Sequence, residues 1–262
     1  MTLKIYDTKS HNNFGDILTP WIIETVLGNK VELVSTVEES NLFGIGSILH
    51  MCPTLYQGSI WSSGFIYPTH RLILDKPPLA VRGKLSLNQI IGTDTSTTVL
   101  GDGGLILDRI YCPTLECKYK LGVMPHYIDY PYISQSRIFQ TESVVLINPL
   151  SGIENVLHLL LQCENVVTSS LHGIVSCDSY GIPHAVFKTI HSDRHIYTNQ
   201  ARFKLRDYYS VFDIDFTDAD FVMTTHTTVD ECLSYCKPVN KPSIEQIKDG
   251  LMQTLTTLNE AP

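Results

Sequence analysis

Apolar residues along the chain fall into short blocks of two alternating spacings. Leu3-Lys4-Ile5-Tyr6 has the composition of a strand, whereas Ile17, Leu18, Trp21, Ile22 and Val26 recur at the 3.6-residue period of a helix that Gly28 closes. Further strands are predicted at 31–34, 42–45, 59–63, 72–74, 79–82 and 99–100. The rhythm breaks at Tyr111-Cys112-Pro113-Thr114 and resumes with strands predicted at 120–125, 144–148, 165–168, 184–187 and 211–214. Thr228-Val229-Asp230-Glu231 and Ser243-Ile244-Glu245-Gln246 both match a capping box, so two helices are predicted to close the chain. The second leads an apolar stripe of Ile244, Ile247, Leu251, Leu255 and Leu258. Strands that hand over to helices again and again build a parallel, helix-covered sheet. The predicted fold is α/β, with two Rossmann-like lobes at about 1–115 and 116–240. A C-terminal helix and tail, 241–262, would pack back on the first lobe.

Composition narrows the function classes. With 43% hydrophobic and 18% charged residues in 262, the chain belongs with ordinary globular proteins. A net charge of −8 argues against a broad nucleic-acid surface, which needs clustered Lys and Arg, so any basic site must be local. No apolar run approaches the roughly 20 residues of a membrane span, and the first residues do not read as a signal peptide, so a cytoplasmic protein is expected. Seven cysteines, several in apolar segments, read as reduced packed thiols. A zinc site from Cys112, Cys117, Cys232 and Cys236 is disfavoured by spacings wider than a Cys-x2-Cys knuckle, and no metal is expected.

In open α/β sheets ligands sit beyond the C-terminal strand ends, and four such loops carry unusual chemistry. His11-Asn12-Asn13-Phe14-Gly15-Asp16 offers a glycine for close backbone approach, and Asp16 to cap the first helix; a plain turn explains it as well. Ala80-Val81-Arg82-Gly83 ends a strand on an arginine, whose planar fork suits a carboxylate or phosphate, or equally a salt bridge. Met124-Pro125-His126 puts a histidine straight after an apolar strand, where a structural role is common. Thr168-Ser169-Ser170-Leu171-His172-Gly173 opens an amphipathic helix that stops at Gly181, with Ser169 or Ser170 as its cap. His172 and Gly173 would then lie in a solvent-facing first turn whose free N–H groups and dipole attract an anion. The run Arg202-Phe203-Lys204-Leu205-Arg206-Asp207 is the densest positive charge; it reads as a solvated helix face, or as a group reaching across the cleft.

The ordered set resembles the polysaccharide pyruvyl transferases, in particular the shorter bacterial members that decorate exopolysaccharides. It comprises Asn13-Phe14-Gly15-Asp16, Gly44-Ile45-Gly46-Ser47, Ser62-Ser63-Gly64-Phe65, Val81-Arg82-Gly83, Leu100-Gly101-Asp102, Met124-Pro125-His126, Ser169 to Gly173 and Phe203 to Asp207. The resemblance implies a two-lobed fold like the GT-B glycosyltransferases, phosphoenolpyruvate as donor, and no nucleotide, metal or other cofactor. Arg82 and His172 fall on the family's active-site arginine and on the histidine of its Leu-His motif, and His126 is the second candidate acid or base. Asn13, Gly15, Asp16, Ser169, Ser170, Gly173, Lys204 and Arg206 are the candidate binding residues. Many members have arginine where this chain has Ser170, so a cation from 202–206 or Lys188 is expected to face the donor phosphate instead. The implied acceptor is a sugar of a surface polysaccharide or of its lipid-linked precursor at the membrane surface. A glycosyltransferase using a nucleotide sugar and a non-catalytic sugar-binding protein are the alternatives.

Overall fold

The computed structural model describes residues 2–7, 12–190 and 198–258. In its first half, β1 (Leu3–Tyr6) lies between β2 (Val31–Val34) and β3 (Leu42–Phe43), and β3 pairs with β4 (Ser59–Ile60), all parallel. Four more short strands, β5 (Leu72–Ile73), β6 (Ala80–Val81), β7 (Ile90–Ile91) and β8 (Val99–Leu100), form the parallel pairs β5–β7 and β6–β8. Leu79 N–H donates to Ile60 O at 3.0 Å and Ser62 N–H to Ala80 O at 2.8 Å, which joins β6 to the end of β4. Arg82 thus stands at the C-terminal end of a strand held on both sides.

The second half contains β9 (Leu121–Met124), β10 (Val144–Leu146), β11 (Val166–Thr168), β12 (His184–Lys188) and β13 (Phe221–Val222). They form one parallel sheet in the order β10-β9-β11-β12-β13. Central β9 and β11 are buried along their whole length, which explains why Thr168 is the one polar side chain in their sequences.

Nine α-helical segments occur among the described residues. They are α1 (Leu18–Leu27), α2 (Lys84–Leu87), α3 (Leu107–Ile110), α4 (Tyr130–Ile133), α5 (Ile153–Leu161), α6 (Leu171–Tyr180), α7 (Thr198–Ser210), α8 (Val229–Tyr235) and α9 (Ile244–Thr257). Gly28 and Gly181 close α1 and α6 at φ 66° and 70°, left-handed values that favour glycine. Thr228 caps α8 as expected, its Oγ1 accepting from Glu231 N–H at 3.2 Å. The second expected box does not form, because Ser243 sits at φ 58° and its side chain caps nothing.

Three expectations are corrected by packing. The strand expected at 211–214 is instead the turn that follows α7: left-handed Asp213 turns the chain so that Ile214 N–H reaches Tyr209 O at 3.2 Å. Phe212 packs on Tyr208 with ring centroids 5.4 Å apart, and the sheet edge falls instead to Phe221–Val222. Helix α6 is not amphipathic, since every residue from Leu171 to Ser179 is buried. It lies between its own strands β11 and β12 and the 3-10 turn Gly103–Ile106 with α3, so it has no solvent face. Nor is α7 a solvated face: Phe203, Leu205, Asp207, Tyr208 and Tyr209 are all buried.

One apolar cluster takes side chains from both halves, including Leu18, Trp61 and Leu105 with Val166, Ile174 and Leu251. Helix α9 packs on the first half. Its Ile247 and Leu251 lie against Gly101, Thr254 Oγ1 accepts from Trp61 Nε1 at 3.2 Å, and Arg109 pairs with Asp249 at 2.7 Å. All seven cysteines are free thiols. No helix among the described residues is long and apolar enough to cross a membrane.

Candidate active site

Arg82 leaves the end of β6 with its side chain fully buried. Its Nε and Nη2 both lie 2.9 Å from Asp207 Oδ2, Nη2 also donates to Phe65 O at 2.6 Å, and Nη1 donates to Ser47 Oγ at 2.5 Å. The fork expected to grip a ligand therefore grips Asp207 of α7, and one N–H on Nη1 is left uncommitted among the described residues. Asp207 is fully used as well, accepting from Ser86 N–H at 2.7 Å and Ser86 Oγ at 2.6 Å. Glycine is required at both flanks: a Cβ on Gly64 would enter the guanidinium, and one on Gly83 would enter the Asp207 carbonyl.

Helix α6 begins at the end of β11 with Ser170 as N-cap residue, but neither serine caps it. Ser169 Oγ accepts from His126 N–H at 2.8 Å and donates to Asp129 Oδ2 at 2.7 Å, tying the β9 and β11 loops together. Ser170 is buried and its N–H bonds Thr168 Oγ1 at 3.0 Å. The first-turn amides of α6, which have no intrahelical acceptors, thus lack a side-chain cap. Gly173 lets this turn lie on the strand, since a Cβ there would strike Thr168 Oγ1.

His172 is 8% exposed, which corrects the solvent-facing placement expected for it. One edge of its ring, Nδ1 with Cε1, rests on the backbone of Gly15 so closely that no Cβ fits there. The other edge points Nε2 at Asp102 Oδ2, 3.8 Å away. Burial drives the imidazole down to about 4; Asp16 pulls it up, while Lys204 and Arg82 push it further down. The ring is therefore neutral at neutral pH, the form that can accept a proton.

Lys204, on the same face of α7 as Asp207, is half-buried and has no ion pair or hydrogen bond among the described residues. Burial, then Arg82, lower its ammonium to about 8, against the pull of Asp16 and Asp129. His126, half-buried at the end of β9, falls to about 3 through burial, then through Lys204 and His172. Asn13 Nδ2 donates to Asp16 Oδ2 at 3.1 Å, so the first loop braces its own carboxylate rather than capping α1, whose N-cap is Ile17. His11 lies outside the described residues. Arg206 is exposed, and Lys188 and Arg202 pair with Asp218 at 2.7 and 3.4 Å. Of the cations that could stand in for an arginine at 170, Lys204 is the one whose charge lowers both His172 and His126.

These residues come from the ends of β6, β8, β9 and β11, from the loop after β1 and from α7. Residues 7–191 match the sequence profile of the polysaccharide pyruvyl transferases. The chain belongs to that family. It is 25% identical over 192 residues to the succinoglycan biosynthesis protein ExoV of Rhizobium meliloti (strain 1021), covering 71% of this chain and 60% of that protein. It is 32% identical over 182 residues to the uncharacterized protein L143 of Acanthamoeba polyphaga mimivirus, covering 65% of this chain and 62% of that one. The chain thus spans about three-fifths of the length of these relatives. No solved structure matches it.

Sequence reasoning about this pyruvyl transferase family member missed the roles of Asp102, Asp129 and Ser47. Asp102 did carry a signal: it stands just beyond the end of β8, after Gly101 and before two more glycines, in a strand-end loop like those of Arg82 and His126. Gly15→Ala is expected to push the His172 ring off its seat. The imidazole Cε1 resonance should move and stability should drop by about 1–3 kcal/mol, the cost of overpacking a closed contact. Unchanged chemical shift and melting temperature would mean that the loop yields freely.

Proposed function

We propose that the protein transfers the pyruvyl group of phosphoenolpyruvate onto two hydroxyls of a saccharide as a cyclic ketal. The observation that carries this reading is the convergence of Lys204, the neutral imidazoles of His172 and His126, and the uncapped first turn of α6. Phosphoenolpyruvate places a carboxylate and a phosphate on one carbon, so its site must bring two anions together in little water. Helix N–H groups and a partly desolvated ammonium do that. Arg82 adds its positive field and its spare N–H, while its fork stays on Asp207.

The residues suit the proton inventory. A first sugar hydroxyl attacks C2 of the donor as its proton goes to the imidazole, and a proton is delivered to the methylene carbon, which becomes methyl. Phosphate then leaves with its bridging oxygen, the second hydroxyl closes the ring, and that hydroxyl's proton departs with phosphate. His172 serves as base first and acid second, and His126, whose ring feels the charge of His172, is the second acid or base. Asn13, Gly15, Asp16, Ser170 and Gly173 line the donor side on this reading, with Ser169 fixing the His126 loop. Arg206 is free to meet an acceptor from the surface.

Residues 1–115 and 116–240 are read as two lobes of the GT-B kind around this site, with 241–262 returning to the first. An exopolysaccharide precursor, lipid-linked at the inner membrane surface and met from the cytoplasm, is the proposed acceptor; the succinoglycan relative supports that class. Phosphate release from phosphoenolpyruvate in the presence of diol-bearing oligosaccharides tests the reading, with a product heavier by pyruvate less water. Thermal stabilisation by a nucleoside diphosphate but not by phosphoenolpyruvate would overturn it in favour of glycosyl transfer.

The Lys204 ammonium gives a second check. Because it loses its proton near pH 8, donor affinity should weaken as pH rises past that point, and Lys204→Gln should bind about 10–100-fold more weakly with that alkaline limb gone. Calorimetric titration of donor from about pH 7 to about pH 9 reads both effects.

A further inference from the structure

Two buried polar atoms face each other without hydrogen-bond partners among the described residues: Asp102 Oδ2 and His172 Nε2, 3.8 Å apart. Each belongs to a side chain otherwise fixed. Asp102 starts the turn Gly103–Ile106, its Oδ1 accepting from Gly104 N–H at 3.0 Å, and it is fully buried. The imidazole is seated on Gly15, which blocks rotation of its opposite edge. An orphaned buried carboxylate oxygen is costly, and an orphaned buried ring nitrogen is costly too. A shift of about 1 Å brings both into hydrogen-bond reach of each other.

We propose that Asp102 is the positioning residue for His172, its Oδ2 accepting from Nε2–H so that the Nδ1 edge beside Gly15 exchanges protons with the reactants. The hydroxyl proton enters at Nδ1, giving an imidazolium against an ionised Asp102. It leaves from Nδ1, so the pair ends as it began and no further reactant is needed. The surroundings suit such a pair. Burial raises Asp102 to about 6, with Gly104 N–H and Arg82 opposing and Asp207 assisting, while His172 is lowered to about 4. The charged or titratable groups acting on them are Asp16, Lys204, Arg82, Asp207, His126 and Tyr208. A bound anion beside the pair would draw a proton onto it.

The kinetic part rests on pyruvyl transfer; the titration part does not. Asp102→Asn keeps an oxygen for Gly104 N–H and removes the ionisable group. It should leave the KM for phosphoenolpyruvate within about threefold, lower kcat about a hundredfold and remove the part of the acid limb of the kcat/KM profile near pH 6. Inorganic phosphate, titrated by calorimetry in two buffers of different ionisation enthalpy, should bind wild type with proton uptake near pH 6.5 that Asp102→Asn largely loses. Equal uptake in the two proteins overturns the proposal. If Asp102→Asn does not fold, carbon NMR of the Asp102 carboxyl in wild type and in His172→Gln decides it: the midpoint should move, and an unmoved midpoint overturns the pairing. Absence of pyruvyl transfer alongside a moved midpoint would instead retire the proposed reaction and leave the pair standing.

Discussion

Asp207→Ala is expected to lower the unfolding free energy by about 3–5 kcal/mol, the usual cost of stripping the partner from a buried charge. Arg82 is fully buried, and Asp207 Oδ2 is the anion that faces it, at 2.9 Å from two of its nitrogens. Removing the carboxylate also orphans Ser86 N–H and Oγ, which it holds at 2.7 and 2.6 Å. For a chain of this size the melting temperature should fall by roughly 6–20 °C. Asp207→Asn, which keeps an acceptor but not the charge, should fall between wild type and alanine. Arg82→Ala should resemble Asp207→Ala in stability, so loss of donor binding in that variant is to be read only after its unfolding curve. Arg82→Lys should rescue little, because one ammonium cannot meet Asp207, Phe65 and Ser47 together. Urea unfolding of the four variants measures this, and midpoints within error of wild type would show the pair to be dispensable.

The second large effect concerns turnover. His172→Gln fills most of the same space and keeps a hydrogen-bond donor but carries no exchangeable charge; it should lower kcat by roughly two to four powers of ten with donor affinity changed only a few-fold. Alanine is the poorer probe. The ring is 8% exposed and packed on Gly15, so its removal leaves a cavity and should cost about 1–3 kcal/mol as well as activity. The sign of the pH dependence follows from the neutral state of the imidazole. A base must be unprotonated, so kcat/KM should fall on the acid side as protons reach Asp102 near 6 and His172 near 4. It should fall again on the alkaline side as Lys204 loses its charge near 8. Stopped assays of phosphate release from about pH 5 to about pH 9 would trace the bell. Near-normal kcat in His172→Gln would reduce the imidazole to a structural filler.

The sequence by itself determined the parallel α/β plan and which strand-end loops carry unusual residues. Short apolar blocks bounded by turns, such as Leu121–Met124 and the Val166-Val167 pair, suit strands covered on both faces. Glycines at 28 and 181 and the threonine at 228 act locally, so they closed and opened helices where their chemistry placed them. Arg82, His126 and His172 could be singled out as candidates because each lies in or just beyond a loop that follows a strand. Tertiary structure decided which partner each side chain took. Nothing local says that the Arg82 fork is filled by Asp207, 125 residues later, or that α6 lies buried on every side. Nor does local pattern distinguish 211–214 as the turn after a helix from a strand, since Val-Phe-Asp-Ile suits either until Phe212 meets Tyr208. Charge shows the same division. The sequence marks Lys188, Arg202, Lys204 and Arg206 as equal cations, and only the packing of α7 buries Lys204 beside the imidazoles while Asp218 takes two of the others. A carboxylate such as Asp102 gains its chemistry from burial and from the nitrogen opposite it, and both are properties of contacts between distant segments rather than of any one of them.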